Sequence, residues 1–273
     1  MIKKINFLVK KVKELRKDII KASIENGGHV STSFSCIEIL VALYYSNIFK
    51  LNRKNFKKNY RDYFILSKGH AETGLYSVLA DLKFFSKKKF FNSYKKGSFF
   101  LGGHASHKVP GVELSTGSLG HGLSYASGIA LAGKKNKKNF KVITLMGDGE
   151  CTEGSIWEAA LFASNHKLSN LLAIIDKNNM TVLDFLSKYN KIDPLDKKWK
   201  AFGWKVIVID GHNISSILRE LNKFKNTKTT KPTVIVANTI KGKGVSFMEN
   251  DPQWHTRKLD DESLIKIAYQ ELK

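Results

Sequence analysis

The stretch Lys-Val-Ile-Thr-Leu-Met-Gly-Asp-Gly-Glu, residues 141–150, decides the fold of this chain. Its first six residues form an apolar run rich in β-branched side chains, which predicts a buried strand. That strand ends in Gly-Asp-Gly at 147–149, and a second apolar run at 171–175 ends in Asp-Lys-Asn-Asn at 176–179. If the two strands are neighbours in a parallel sheet, their polar ends meet at its carboxyl edge, where such sheets bind ligands.

The rest of the chain repeats this alternation of short apolar runs and helical periods. Further strands are predicted at 63–66, 205–209 and 232–237. Helices are predicted at 8–24, 36–45, 72–82, 123–131, 155–166 and 214–224. The alternation implies an α/β fold of three layers, in which helices cover both faces of a central, mainly parallel sheet. Because no repeat or proline-rich linker interrupts residues 1–273, we expect a single domain.

Asp148 and Asn178, which follow the two strands, both offer oxygen ligands. Hard oxygen donors in small number suit Mg²⁺ or Ca²⁺, with phosphate oxygens and water completing the shell. A Gly-Asp-Gly turn alone is weak support, because turns commonly contain these residues. The Asn pair that follows the next strand makes the prediction of a metal site much stronger.

Composition and charge limit the classes of function. The 273 residues are 42% apolar, enough for a sizeable core, which excludes a disordered tail or a fibrous repeat. Lys and Arg outnumber Asp and Glu by 46 to 24, and this charge of +22 invites a nucleic-acid or membrane hypothesis. The lysines are dispersed, however, and no nucleic-acid-binding motif is present. Cys36 and Cys151 form no disulfide framework, and no signal peptide or membrane span is legible, so we expect a cytoplasmic protein without nucleic-acid or membrane partners.

Five motifs, in the right order, resemble the transketolase family. They are the Gly-Asp-Gly turn, Asn178, Ser-Lys-Gly-His-Ala at 67–71, Ser-Thr-Gly-Ser-Leu-Gly at 115–120 and Lys-Gly-Lys-Gly at 241–244. The resemblance runs over nearly the whole chain, yet a full transketolase is more than twice as long. It implies the thiamine-diphosphate-binding fold and the N-terminal subunit of a split transketolase. Such an enzyme transfers a two-carbon ketol unit from a ketose phosphate to an aldose phosphate.

The resemblance also implies roles for individual residues toward thiamine diphosphate and its metal. Asp148, the Asn178 side chain and the Met180 carbonyl would bind Mg²⁺, or alternatively Ca²⁺ or Mn²⁺. The diphosphate would lie against Gly149 and Asn178, with His70 and Lys241 beside it. The remaining cofactor-binding residues would be Thr32, the aminopyrimidine-lining Gly117, Ser118 and Leu119, and His255. His121 stands where the family usually has Gln.

Three histidines match the substrate-facing histidines of the family. Ketol transfer removes a proton from the C3 hydroxyl of the donor and returns one to the acceptor aldehyde oxygen, and a group with a pKa near 7 does both efficiently. We expect His29 and His255 to serve these proton steps and His104 to hold the donor hydroxyl groups.

A second polypeptide would complete the site. By resemblance, a C-terminal transketolase subunit supplies the aminopyrimidine half with the activating glutamate, and the assembly is a heterotetramer with two copies of each chain. The sugar phosphates are not specified: the donor is a common ketose phosphate or an unusual sulfonated or branched sugar. A basic nucleic-acid-binding protein on this fold and a non-catalytic scaffold remain as alternatives.

Overall fold

A computed structural model describes residues 2–56, 58, 61–97, 100–226 and 228–273. Within these ranges the helices are α1 (Ile2–Ser23), α2 (Val30–Tyr45), α3 (Arg53–Phe56), α4 (Glu72–Asp81), α5 (Lys87–Ser93), α6 (Gly122–Lys135), α7 (Gly154–Asn165), α8 (Leu195–Ala201), α9 (Ile214–Asn226) and α10 (Glu262–Glu271). The strands are β1 (Tyr63–Leu66), β2 (Val142–Gly147), β3 (Leu171–Lys177), β4 (Lys205–Asp210) and β5 (Thr233–Asn238). Every predicted strand and helix is present, with ends shifted by a few residues.

The five strands form one parallel sheet in the order β1-β2-β3-β5-β4. β2 and β3 are therefore neighbours, which confirms the expectation on which the metal-site prediction depends. Their register pairs Gly147 with Asp176 at the carboxyl edge. The two polar strand ends lie side by side.

Helices cover both faces of the sheet, and alternate strand residues point into two separate cores. On β2, Ile143 and Leu145 join the core formed mainly with α1, α2, α4 and α9. Val142 and Met146 join the core formed with α6, α7 and α8 on the other face. This two-sided burial is the reason the strands are apolar runs without alternation, and it confirms the three-layer α/β prediction.

The structure differs from the sequence-based expectation in three respects. Helix α2 begins at Val30 rather than Cys36, and α3, α5, α8 and α10 were not predicted. Strand β4 lies at the edge of the sheet, and Val208 on it is 54% exposed, so the covering of the sheet is incomplete there. None of the described helices combines the length and the apolar character needed to cross a membrane.

Candidate functional site

A cavity of about 320 Å³ opens at the carboxyl edge of the sheet, beside the ends of β2 and β3. It draws residues from segments that are far apart in the chain. All the predicted site residues except Ser118 line it: His29, Thr32, His70, His104, Gly117, Leu119, Asp148, Gly149, Asn178, Met180, Lys241 and His255. Lys68, Glu150, Glu153, Thr181 and Val182 line it as well, and none of these was among the predicted site residues.

Asp148 supplies the carboxylate at one end of the cavity. The side chain is 1% exposed, and both oxygens accept backbone N–H groups, from Gly149 at 2.9 Å and from Asn179 at 2.6 Å. Burial, followed by repulsion from Asp176, raises the pKa of Asp148 to about 6. A carboxylate whose charge is disfavoured in this way is stabilised by a cation, and its oxygens have lone pairs left for one.

Asn178 lies beside Asp148, and the buried Asp176 fixes the orientation of its amide. The Asn178 Nδ2 donates to Ser35 Oγ at 3.1 Å and to Asp176 Oδ2 at 3.3 Å. The amide oxygen therefore faces the other way, where it accepts the Met180 N–H at 3.1 Å. One carboxylate oxygen donor and one amide oxygen donor converge with Met180, and this donor set suits a hard divalent cation.

Two buried lysines give this end of the cavity its positive charge. Lys68 forms an ion pair with Asp176, and both side chains are almost completely buried. Burial opposes the charge on Lys68, but the Asp176 carboxylate outweighs it and raises the pKa of the lysine. Lys241 donates to the Thr181 carbonyl at 2.9 Å, and burial, with Lys68 second, lowers its pKa to about 8. These ammonium groups are suited to oxygen anions such as a diphosphate.

Four histidines form the other end of the cavity. The ring of His29 lies 5.4 Å from that of His104, 5.5 Å from that of His255 and 5.9 Å from that of His70, between centroids. Burial, and then neighbouring positive groups led by Lys68, lowers the pKa of His70. Burial also lowers the pKa of His104. The structure thus brings together all three histidines predicted to be catalytic.

The tautomer of His255 follows from its contact with Lys241. Lys241 Nζ lies 2.6 Å from His255 Nδ1, and an ammonium group can only donate, so Nδ1 accepts and the ring proton is on Nε2. Burial and the nearby Lys241 lower the pKa of His255 to about 3. The expected pKa near 7 does not hold for this residue. The neutral ring offers an N–H donor rather than a base.

Glycines at two turns let the backbone approach these side chains closely. A Cβ on Gly117 would lie 3.0 Å from the His104 ring, so the histidine packs directly on the backbone of this loop. Gly242 has a φ of +82°, and a Cβ there would collide with the Met248 carbonyl. Its N–H donates to the Ser31 carbonyl at 2.9 Å, which ties the loop bearing Lys241 to α2.

Ser118 is placed apart from the other predicted residues. It lies in a neighbouring surface depression together with Ser115, His121 and Tyr125. Here His121 is exposed and directly precedes α6. Both side chains therefore face outward beside the cavity, at the surface where a second polypeptide is expected.

Comparison with known proteins gives the family. Residues 5–271 match the model of the transketolase, thiamine diphosphate binding domain. The chain belongs to the transketolase family. One of the named subunits of the apulose-4-phosphate transketolase of Actinobacillus succinogenes is 41% identical over 269 residues, which cover 97% of this chain and 96% of that one. The 6-deoxy-6-sulfo-D-fructose transketolase subunit of a Clostridium species is 40% identical over 246 residues, 90% of this chain and 88% of that one.

Full-length transketolases match only in part of their length. Human transketolase is 36% identical over 263 residues, which cover 94% of this chain and 41% of the human one. The crystal structure of transketolase from Campylobacter jejuni superposes with a TM-score of 0.86 at 30% identity, covering 97% of this chain and 42% of that one. Transketolases are transferases, and this chain corresponds to their thiamine-diphosphate-binding part.

The residues in the cavity fit thiamine diphosphate and a divalent metal. Asp148 is a buried carboxylate whose hydrogen bonds come from backbone N–H groups, and Asn178 turns its oxygen away from Asp176. Thr32 Oγ1 is a buried hydroxyl in the cavity wall for which the described residues provide no hydrogen-bond partner. Among the described residues no cluster of three or more His, Cys, Asp or Glu suits a metal, so a metal here would depend on amide, backbone and ligand oxygens.

Proposed function

We propose that this chain is the N-terminal subunit of a two-subunit transketolase, with residues 1–273 forming its single thiamine-diphosphate-binding domain. Asp148, Asn178 and the Met180 carbonyl would hold Mg²⁺. Lys241, His70, Gly149 and Thr32 would contact the diphosphate side of the cofactor, and Gly117 and Leu119 its aminopyrimidine. Thiamine diphosphate, when bound, supplies the electron sink for the two-carbon fragment.

The observation that carries the proposal is that one cavity joins a buried oxygen-donor pair to a cluster of four histidines. A neutral imidazole takes the proton of the donor C3 hydroxyl as the C2–C3 bond breaks, and it returns a proton to the acceptor carbonyl oxygen. His29 is the residue placed for these transfers. His255 donates a hydrogen bond from Nε2, and His104, the most exposed of the three, holds donor hydroxyl groups.

A second subunit has a surface available to it beside the cavity. Among the described residues, large exposed apolar side chains concentrate on α6, α7 and the loop after Met180: Tyr125, Leu161, Phe162, Val182, Leu183, Phe185 and Tyr189. Val182 lines the cavity itself. An apolar surface of this kind is typical of a protein interface. We infer that a C-terminal subunit docks here, places its half of the site against Ser118 and His121, and forms a heterotetramer.

The donor sugar has two candidates. The family favours a ketose phosphate, whereas the names of the similar subunits from Actinobacillus and Clostridium favour an unusual sugar, branched or sulfonated. The two buried free thiols, Cys36 and Cys151, support a reducing, cytoplasmic setting.

The proposal is tested by reconstitution with the product of a neighbouring gene that encodes the missing transketolase half. The mixture, with thiamine diphosphate and Mg²⁺, is assayed on a ketose phosphate, apulose 4-phosphate and 6-deoxy-6-sulfofructose. We expect ketol transfer by the mixture on at least one donor and none by either chain alone. Full activity of this chain alone would contradict the two-subunit proposal, and inactivity of the mixture on every donor would contradict the transketolase activity.

A further inference from the structure

A buried carboxylate faces His29 from behind the cavity wall. Glu72, the first residue of α4, is completely buried, and its Oε2 lies 3.4 Å from His29 Nδ1. Both atoms are buried, and neither has a hydrogen-bond partner within the part of the chain that the structure describes. Glu72 does not line the cavity, so its carboxylate can reach a ligand only through His29.

Two hydroxyl groups hold the other oxygen of Glu72. Oε1 accepts from Tyr94 Oη at 2.7 Å and from Thr73 Oγ1 at 3.0 Å. The Tyr94 hydroxyl reaches this place across Gly28, where any Cβ would collide with it. Because these donors occupy Oε1, Oε2 is the oxygen left for the histidine.

We propose that Glu72 is a positioning residue that keeps the ring proton of His29 on Nδ1. The inference deepens the proposed transketolase function and rests on it. A carboxylate can only accept, so it selects the Nδ1–H form, and Nε2 on the opposite side of the ring is left as a hydrogen-bond acceptor. His255, whose ring lies 5.5 Å away, is held by Lys241 in the opposite tautomer.

The two opposite tautomers give the histidines different tasks. His29 is ready to accept the proton of a substrate hydroxyl, whereas His255 is ready to donate a hydrogen bond to an oxygen. His70 and His104 are the other titratable groups packed around His29 in this cluster. Neither of them contacts the Nδ1 side through a hydrogen bond found in the structure, so Glu72 alone sets that side.

The variant Glu72→Gln reverses the tautomer while it keeps the shape of the side chain. Its amide oxygen takes the place of Oε1, because the Tyr94 and Thr73 hydroxyls donate there, and the amide nitrogen then faces His29 Nδ1. An amide N–H requires an acceptor, so the ring proton moves to Nε2. Glu38→Gln is a matched control: Glu38 is also buried, its Oε2 lies 3.3 Å from His212 Nδ1, and it does not line the cavity.

The direct test is an NMR measurement on the full chain labelled with nitrogen-15 in its histidines. The signals of His29 are identified by their loss in His29→Gln, and the spectrum is taken at about pH 8.5, where an ordinary imidazole is neutral. We expect Nε2 of His29 to be unprotonated in the unchanged chain and in Glu38→Gln, and protonated in Glu72→Gln. A protonated Nε2 in the unchanged chain would overturn the proposal without any need for a folded variant.

Kinetics of the reconstituted enzyme give a second readout. We expect Glu72→Gln to lower kcat by about 10- to 100-fold with a nearly unchanged KM for the donor, within the range that acid–base groups contribute. In a His29→Gln background the same substitution should change kcat no further. An unchanged kcat in the single variant would overturn the role. Absence of ketol transfer by the unchanged enzyme would instead contradict the proposed function and leave the NMR result standing.

Discussion

The two ends of the cavity are built by different means. At the metal end, Asp148 and Asn178 follow adjacent strands, and backbone N–H groups and a fully buried ion pair fix their side chains. At the histidine end, residues from four distant segments meet through ring contacts and a few hydrogen bonds. The sheet fixes the end that binds, whereas the end proposed to move protons is set by hydrogen bonds to individual ring nitrogens.

The largest expected effect comes from breaking the metal end with Asp148→Asn. The substitution keeps the shape but removes the charge, and we expect ketol transfer to fall by more than about a thousandfold, since changes outside the ligands of metal sites already cost about 10- to 100-fold. Calorimetry of thiamine diphosphate binding with Mg²⁺ should show that binding itself is lost. Asp210→Asn is the matched control, because Asp210 also ends a strand of the sheet but does not line the cavity. Normal binding by Asp148→Asn would contradict the division into two ends.

The histidine end should fail in a different way. We expect His29→Gln to lower kcat about a hundredfold, because proton transfer is lost, while thiamine diphosphate binds as before. Steady-state kinetics and calorimetry on the same sample separate the two effects. His107→Gln, in an exposed position outside the cavity, should be unaffected in both. If His29→Gln lost cofactor affinity as well, the two ends would not be independent.

The smallest effect is expected at Lys241, which contacts both ends. Lys241→Met should weaken thiamine diphosphate binding about tenfold, the value of a charge-assisted hydrogen bond. The pKa of Lys241 is lowered to about 8, so its positive charge is present below that pH and is lost as the pH rises through it. Affinity in the unchanged enzyme should therefore decline above about pH 8, and in Lys241→Met that decline should disappear. Lys243→Met, at a neighbouring lysine paired with Glu249, should keep it.

The metal end could be predicted from the sequence because its residues follow strands. An apolar run that ends in Gly-Asp-Gly and another that ends in Asp-Lys-Asn-Asn place Asp148 and Asn178 together once the sheet is parallel. Asp176 was visible in the second motif, but its contacts with Lys68, Ser35 and Asn178 become apparent only in three dimensions.

Polar residues inside buried elements explain most of what the sequence did not reveal. The first turns of α2 are rich in serine, which hides their helical period, yet these hydroxyls are satisfied inside the protein. Ser31 donates to the Trp254 carbonyl, Ser33 accepts from the Gly74 N–H, and Ser35 donates to Asp176. Glu72 looked like an ordinary acidic residue in the first turn of a helix. Its place behind His29 depends on packing between α4 and the loop before α2, which no local pattern reports.

The central claim is that the metal end holds thiamine diphosphate through a divalent cation. It is tested most directly by titrating the assembled two-subunit complex with thiamine diphosphate in the presence and absence of Mg²⁺. The account predicts binding with Mg²⁺, loss of binding when a chelator removes it, and no binding to the Asp148→Asn complex under either condition. Binding that does not depend on the metal, or no binding by the unchanged complex with Mg²⁺, would contradict it.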